Sequence, residues 1–378
     1  VNTAFLVAGC RSPIGRSHPE KGAYRNLRAD ELTVQVLQAL LDRTGLDPAR
    51  VDDVYLGCVG QHLEQGKNLA RLIVLLAGLP ARIPGITLNR LCGSSFSAVQ
   101  FAADGIAAGR ISLALAGGVE HMGHVPMTAA LDYHPGLFKA FDFQWTNMGL
   151  TAEKLAEDYH ISREAQDRFT ILSNERYFEA LQAGFYSAEV VPIQTPEGTT
   201  TRDEQPRQST LEALANLKTP FKGNGTVTAA NSSGIGDGAG MVMLASEELL
   251  LSNDWNPLVR IVDSVAIGLS PDVMGLGPVP AIQKLCLRNN LKLDQIDLFE
   301  INEAFAVQML ACLNELELTM DRVNPHGGAV ALGHPLGMSG VRIILTLARS
   351  MKQNGCHYGV AAMCVGHGQG VAMLLEEP

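Results

Sequence analysis

The 378-residue chain has no run of 18 or more apolar residues, so no membrane-spanning helix is expected. It has no excess of positive charge. Lys and Arg number 29 against 39 Asp and Glu, and the net charge of −10 argues against a general nucleic-acid binder. An anionic ligand is still permitted, because a phosphate needs only local positive charge. No CxxC pair occurs among the seven scattered cysteines. An odd, dispersed set fits free thiols in a reducing compartment, and hence a cytoplasmic location, better than a disulfide framework. The start, Val1–Val7, is too short and lacks the basic flank of a signal peptide, and reads as a first strand. Gly117-Gly118 and Gly234-Ile235-Gly236 are too loosely spaced for a dinucleotide-binding fingerprint. His121, His124 and His134 lack the further Cys/His pair that would close a zinc site, so no metal is expected.

What is present is an ordinary globular balance, 46% hydrophobic and 18% charged, on a chain long enough for two or more cores. The two halves echo each other. LDPARVD at 46–52 matches LKLDQID at 291–297, an offset of 245 positions. Each copy follows a helix-like segment (Leu32–Leu41; Val279–Leu287) and precedes a short apolar strand (Val54–Leu56; Leu298–Ile301). The same offset aligns the helix-like Ser97–Ala108 with Arg342–Gln353, and the strand-like Ser112–Val119 with His357–Cys364. Gly238–Leu244 then matches Gly368–Leu374 at an offset of 130, so the first half carries 115 extra residues.

Each half alternates strand and helix and ends in two strands, an α/β unit with a mixed sheet. The boundaries read as 1–257 and 258–378, with a loop domain inserted at about 120–237. That insertion contains an amphipathic helix around Ile161–Gln182 and a polar stretch, Thr195–Gln208. Loops on a rigid scaffold commonly bind ligands.

Four reactive or polar residues fall in breaks between apolar runs: Cys92, Asn302, His334 and Cys364. By the offsets, His334 lies opposite Asn89, Asn302 opposite Gly57 and Cys364 opposite Val119, all at one end of the duplicated core. Clefts at strand ends are favoured sites. Cys92 precedes Gly93-Ser94-Ser95 and a helical stretch, where free N–H groups favour a thiolate; equally, it can be a small buried hydrophobe. His334 can take a proton from a thiol or serve as a turn residue. Cys364 precedes alternating glycines whose N–H groups can form an oxyanion hole, and is either an acid/base or a core thiol. Asn302 can hold a water or polarise a carbonyl, or end a strand. Glu303 can orient a neighbour or be solvated. Cys10, Cys58, Cys286, Cys312 and Cys356 read as structural.

Together these motifs resemble the thiolase family along essentially the whole chain. The resemblance lies in NRLCGSS at 89–95, GGVEHMGHVPM at 117–127, MGLTAE at 148–153, NSSG at 231–234, NEAFA at 302–306, HGGAVALGHPLG at 326–337 and MCVGHGQG at 363–370. LEQG at 63–66 and EHMGHVPM at 120–127 look most like the thiolase subunits of bacterial fatty-acid oxidation complexes. The resemblance implies a five-layer αβαβα core of two similar halves with a loop domain inserted in the first. It implies thiolysis of a 3-oxoacyl-CoA by CoA, with coenzyme A as substrate and no permanently bound cofactor.

It also implies roles. Cys92 would carry the acyl group, His334 activate it and Cys364 move the proton of the acetyl-CoA carbanion. Asn302 would hold a water, shared with His334, in one oxyanion hole. The N–H groups of Cys92 and Gly366 would form the other. Ser233 and Arg207 are candidate CoA contacts, and Met148 a lining of the acyl pocket. Lys218 and Lys222 read as solvated. The family implies a homodimer or tetramer, with a hydratase/dehydrogenase subunit as a partner of some members. Departures are His326, where many relatives carry asparagine, Met338, often cysteine, and Asn147, where short-chain biosynthetic members tend to carry histidine. Two other readings are an acetyl-CoA acetyltransferase making acetoacetyl-CoA and a docking subunit of a multienzyme complex.

Overall fold

The computed structural model describes residues 2–141 and 146–378, so Val1 of the first-strand reading and positions 142–145 of the inserted segment lie outside the described residues. The first half runs β1 (Ala4–Arg11), β2 (Gly15–Arg16), α1 (Ala29–Thr44), β3 (Asp53–Gly57), α2 (Leu69–Leu76), β4 (Gly85–Leu88), α3 (Ser94–Ala107) and β5 (Leu113–His121). The inserted segment supplies α4 (Leu137–Ala140), α5 (Met148–Asp158), α6 (Arg163–Gln182), β6 (Ile193–Thr195), β7 (Gly198–Thr200) and α7 (Leu211–Ala215). β8 (Gly236–Ser246) and α8 (Glu247–Asn253) follow. The second half runs β9 (Val259–Gly268), α9 (Pro278–Arg288), β10 (Leu298–Ile301), α10 (Ala306–Leu316), α11 (Ala329–Leu332), α12 (Ser339–Asn354), β11 (Tyr358–Val365) and β12 (Gln369–Glu376).

All strands but β6 and β7, which pair with each other, form one hydrogen-bonded path, β10-β11-β12-β9-β1-β8-β5-β3-β4, with β2 on β8. The duplication is explicit in it: β3-β5-β8-β1 and β10-β11-β12-β9 share order and direction. Within the sheet the two halves are paired at Ala4–Leu6 against Val259–Ile261. The matched LDPARVD and LKLDQID segments both hold a single 3-10 turn, Pro48–Arg50 and Leu293–Gln295. Asp52 accepts the N–H groups of Ser112 and Leu113 at 2.7 and 2.9 Å; Asp297 accepts those of His357 and Tyr358 at 2.8 and 2.9 Å.

β5 and β8 are buried along their whole length, so side chains of both parities need a cover. Three cores provide it. Leu113, Leu115, Met241 and Met243 pack outward under α1 and α2. Val360, Ala362, Ala372 and Leu374 pack outward under α9 and α10. The opposite faces, including Ala114, Ala116, Val242, Met363 and Met373, close on α3 and α12 between the halves. Helices, sheet, helices, sheet, helices make the five layers. α3 and α12 touch almost backbone to backbone. A Cβ on Gly340 would stand 2.3 Å from the Phe96 nitrogen, so only glycine fits there. Phe96 is fully buried in this layer, and Phe96→Ala would cost about 3–5 kcal/mol.

The helix expected around Ile161–Gln182 is α6, capped by Ser162, whose side chain accepts from Ala165 N; the face it buries is mostly polar, with Gln166, Asp167, Thr170, Ser173 and Asn174, rather than apolar. Among the described residues no helix is long and apolar enough to cross a membrane.

Candidate active site

Two helix starts that pack together carry the reactive loops. Cys92 lies two residues before α3; His334 lies five before α12. Ser95 Oγ accepts Val341 N at 3.0 Å across the contact between them. The Cys92 loop is a strained elbow. Leu91 holds a φ of 47°, the left-handed region that disfavours a branched side chain. Its neighbours keep it there. Asn89 Oδ1 accepts Leu91 N at 2.8 Å, and Ser94 Oγ accepts Arg90 N at 2.9 Å while donating to Leu91 O at 2.6 Å.

Cys92 keeps some exposure as a residue, yet its sulfur is closely surrounded. Burial pushes its thiol up to about 11, against the pull of two backbone donors, the N–H groups of Gly366 and of Cys92 itself. The helix-start donors are present, but desolvation outweighs them and a neutral thiol rests there.

Cys364 ends its side of β11, paired with Gly370. It is 2% exposed within an apolar cluster of Leu155, Ala304, Phe305 and Met274, against which Met148 packs. Burial raises this thiol well above its usual range, and charge on Cys92 would raise it further. It is therefore a protonated group placed within electrostatic reach of Cys92.

His334 is buried, and burial first, then Arg342, lowers its pKa to about 3. The ring is neutral with an assignable tautomer. Ser339 Oγ donates to Pro335 O at 2.9 Å, so it accepts from His334 Nδ1–H at 2.6 Å. Nε2 is left as the basic nitrogen, 3.4 Å from Asn302 Nδ2. Asn302 follows β10, is fully buried, and receives Arg342 Nη2 on Oδ1 at 3.4 Å. Arg342 in turn pairs with Glu300 at 2.7 Å.

A second carboxylate ties the His334 loop to the first half. Glu120, 1% exposed at the end of β5, accepts the N–H groups of Val59 (3.0 Å), Gly60 (2.9 Å) and Gly337 (2.8 Å). Ser339, Arg342, Glu300 and Glu120 were not singled out from the sequence as site residues. The signal available was a polar residue inside an otherwise apolar strand or helix, as in Phe299-Glu300-Ile301.

The remaining candidates divide. Ser233 lies beside the site: its N–H bonds Ala304 O at 2.9 Å, and its neighbour Gly234 accepts His334 N at 2.9 Å. Met148 opens α5 with its sulfur 4.0 Å from where a Cβ on Gly366 would lie. Arg207 is exposed; its backbone N–H bonds Asn174 Oδ1 at 2.8 Å, and among the described residues its guanidinium makes no hydrogen bond or ion pair. Lys222 pairs with Glu157. Glu303 is buried rather than solvated, accepting from Ser173 Oγ (2.7 Å), Asn324 Nδ2 (2.9 Å) and Val330 N (3.1 Å). His121 and His124 stack at 3.8 Å, and their ring nitrogens face Tyr24 O, Asp237, Arg25 O and Glu64.

A buried thiol with two N–H donors at its sulfur, a second protonated thiol and a neutral imidazole can together form and release a thioester. The chain as a whole is similar to known proteins. Residues 4–248 match the family model of the thiolase N-terminal domain, and residues 255–377 that of the thiolase C-terminal domain. A 3-ketoacyl-CoA thiolase of Yersinia pestis (strain Pestoides F) is 45% identical over 387 residues, covering 100% of each chain. One of Aliivibrio fischeri is 46% identical over 391 residues, again covering 100% of each. Among solved structures, human mitochondrial 3-ketoacyl-CoA thiolase superposes with a TM-score of 0.91 at 37% identity, over 100% of this chain and 99% of that one. The acetyl-CoA acetyltransferase of Bacillus anthracis gives 0.91 at 38% identity, over 99% and 98%. With both family halves matched in order along nearly its whole length, the chain belongs to the thiolase family.

Proposed function

We propose that the chain catalyses the 3-ketoacyl-CoA thiolase reaction, CoA-dependent cleavage of a 3-oxoacyl-CoA to acetyl-CoA and an acyl-CoA two carbons shorter, in fatty-acid β-oxidation. The observation that carries this is the Cys92 sulfur facing the Gly366 and Cys92 N–H groups, with the protonated Cys364 in electrostatic reach.

His334 Nε2 takes the Cys92 proton as the sulfur attacks the 3-keto carbon. The C2–C3 bond breaks, leaving the acyl group on Cys92 and an enolate on acetyl-CoA. Cys364 protonates that carbanion at C2. Its thiolate then takes the proton of an incoming CoA thiol, which attacks the acyl-cysteine. Cys92 leaves and recovers its proton from His334. The N–H groups of Cys92 and Gly366 stabilise one oxyanion; Asn302, through a water shared with His334, stabilises the other. Splitting the transfer at a covalent intermediate gives ping-pong kinetics.

Coenzyme A serves as a substrate, lying along the inserted segment. Ser233, beside the His334 loop, and the exposed Arg207 are its contacts, and Met148 lines the acyl side. The two halves divide at 257/258. A second copy is the expected partner, giving a homodimer or tetramer. The end strand β4 and exposed Leu72, Leu75, Leu76, Ile86 and Phe101 offer it an apolar edge. A hydratase/dehydrogenase subunit and a cytoplasmic location complete the reading.

The test is CoA-dependent cleavage of 3-oxoacyl-CoAs of several chain lengths by the purified chain. Activity confined to acetoacetyl-CoA would favour the acetyl-CoA acetyltransferase reading. A chain inert alone but active with a partner would favour a subunit role.

A further inference from the structure

Directly behind the groups that meet substrate stands a buried ion pair. Arg342 on α12 and Glu300 in β10 lie 2.7 Å apart, each side chain 1% exposed. Such a pair contributes little to stability. Desolvation cancels most of the attraction, and apolar side chains of similar volume commonly replace it without loss. Its placement suggests a different role, because Arg342 also reaches Asn302, Nη2 standing 3.4 Å from Oδ1.

Direction is what the guanidinium supplies. It can only donate, so the carbonyl end of Asn302 faces Arg342 and the NH2 end faces His334 Nε2 at 3.4 Å. From the other side, Ser339 Oγ is committed to Pro335 O and takes Nδ1–H of the same ring. Every hydrogen bond from Glu300 through Arg342, Asn302 and His334 to Ser339 therefore has one allowed direction. Without Arg342 no donor holds the amide against turning over. It would then present a carbonyl oxygen to His334 Nε2, lone pair against lone pair, and to any oxygen gathering negative charge beside it.

We propose that Arg342, held by Glu300, is a positioning residue that fixes the Asn302 amide with its N–H donors toward His334 and the substrate oxygen. The role rests on the thiolytic reading above and extends it to a residue that touches no substrate. It predicts an effect on turnover rather than on substrate binding, and one transmitted only through Asn302.

The experiment is a double-mutant cycle. Glu300→Leu/Arg342→Met removes both charges together and leaves neither orphaned. It is assayed with 3-oxoacyl-CoA and CoA in the wild-type and Asn302→Ala backgrounds, with the unfolding midpoint measured alongside. In the wild-type background kcat should fall about tenfold to a hundredfold, with KM for CoA changed less than about threefold. In the Asn302→Ala background the further loss should be less than about twofold. An unchanged kcat, or a loss that multiplies undiminished onto Asn302→Ala, overturns the proposal. If the double variant does not fold, Glu300→Gln/Arg342→Met, which keeps the volume at 300 and still removes the donor facing Asn302, is put through the same cycle with the same expected outcomes. A wild-type chain that cleaves no 3-oxoacyl-CoA overturns the thiolytic reading, and the positioning role with it. An active wild type with an insensitive pair overturns the positioning role alone.

Discussion

Ser339 Oγ stands 2.6 Å from His334 Nδ1 and spends its own proton on Pro335 O at 2.9 Å. One hydroxyl thereby selects the imidazole tautomer whose free Nε2 faces Asn302. Ser339→Ala removes the acceptor and lets the ring change tautomer or turn. Steady-state kinetics should show kcat lowered about tenfold to a hundredfold. The stability loss should be only about 1–2 kcal/mol, read by denaturant unfolding.

The state of the thiol can be read without substrate. Burial holds Cys92 at about 11 and His334 at about 3, so the resting pair is thiol and neutral imidazole. Alkylation of Cys92 by iodoacetamide should therefore rise about tenfold per pH unit between roughly pH 6 and 9, with no plateau. A thiolate–imidazolium pair would instead give a rate flat across that range.

Cys364 is buried, protonated and coupled to Cys92. Cys364→Ala should lower turnover by about 10²- to 10⁴-fold, the usual worth of a placed acid/base. Cys92 should remain alkylatable in that variant. Loss of both turnover and alkylation would instead mark Cys364 as a packing residue.

Asp52 and Asp297 do one job in two places, each carboxylate closing the two N–H groups that start a strand of the central sheet. Asp52→Ala and Asp297→Ala should each destabilise by no more than about 1 kcal/mol, because both sites are exposed and water can replace the carboxylate. Unfolding midpoints that move by similar amounts would support equivalent roles in the two halves.

These two aspartates also show why the duplicated fold could be read early. Equivalent layers impose equivalent apolar periods, and the polar residue at a strand start recurs with them at a fixed offset. The joining of the halves by Ala4–Leu6 against Val259–Ile261 had no such trace, since three residue pairs over 250 positions apart leave no local pattern. At the site, Cys92, Asn302, His334 and Cys364 stood out because reactive groups in glycine-rich breaks have few structural explanations. Ser339 and Arg342 did not, because polar residues in a helix are normally taken for its wet face, and α12 is buried on all sides near its start. The resting state of the Cys92 thiol stays open in the sequence for a related reason. A helix start is visible in sequence, whereas the desolvation that opposes it is assembled from distant segments.

The central claim is that the acyl group passes through Cys92. Wild-type chain mixed with a 3-oxoacyl-CoA and no CoA, quenched in acid, digested and weighed by mass spectrometry, tests it directly. The account predicts a Cys92 peptide heavier by the acyl group shortened by two carbons, lost when CoA is added and absent in Cys92→Ala. Thiolysis that persists unchanged in Cys92→Ala, or an acyl group found on Cys364 instead, would contradict it.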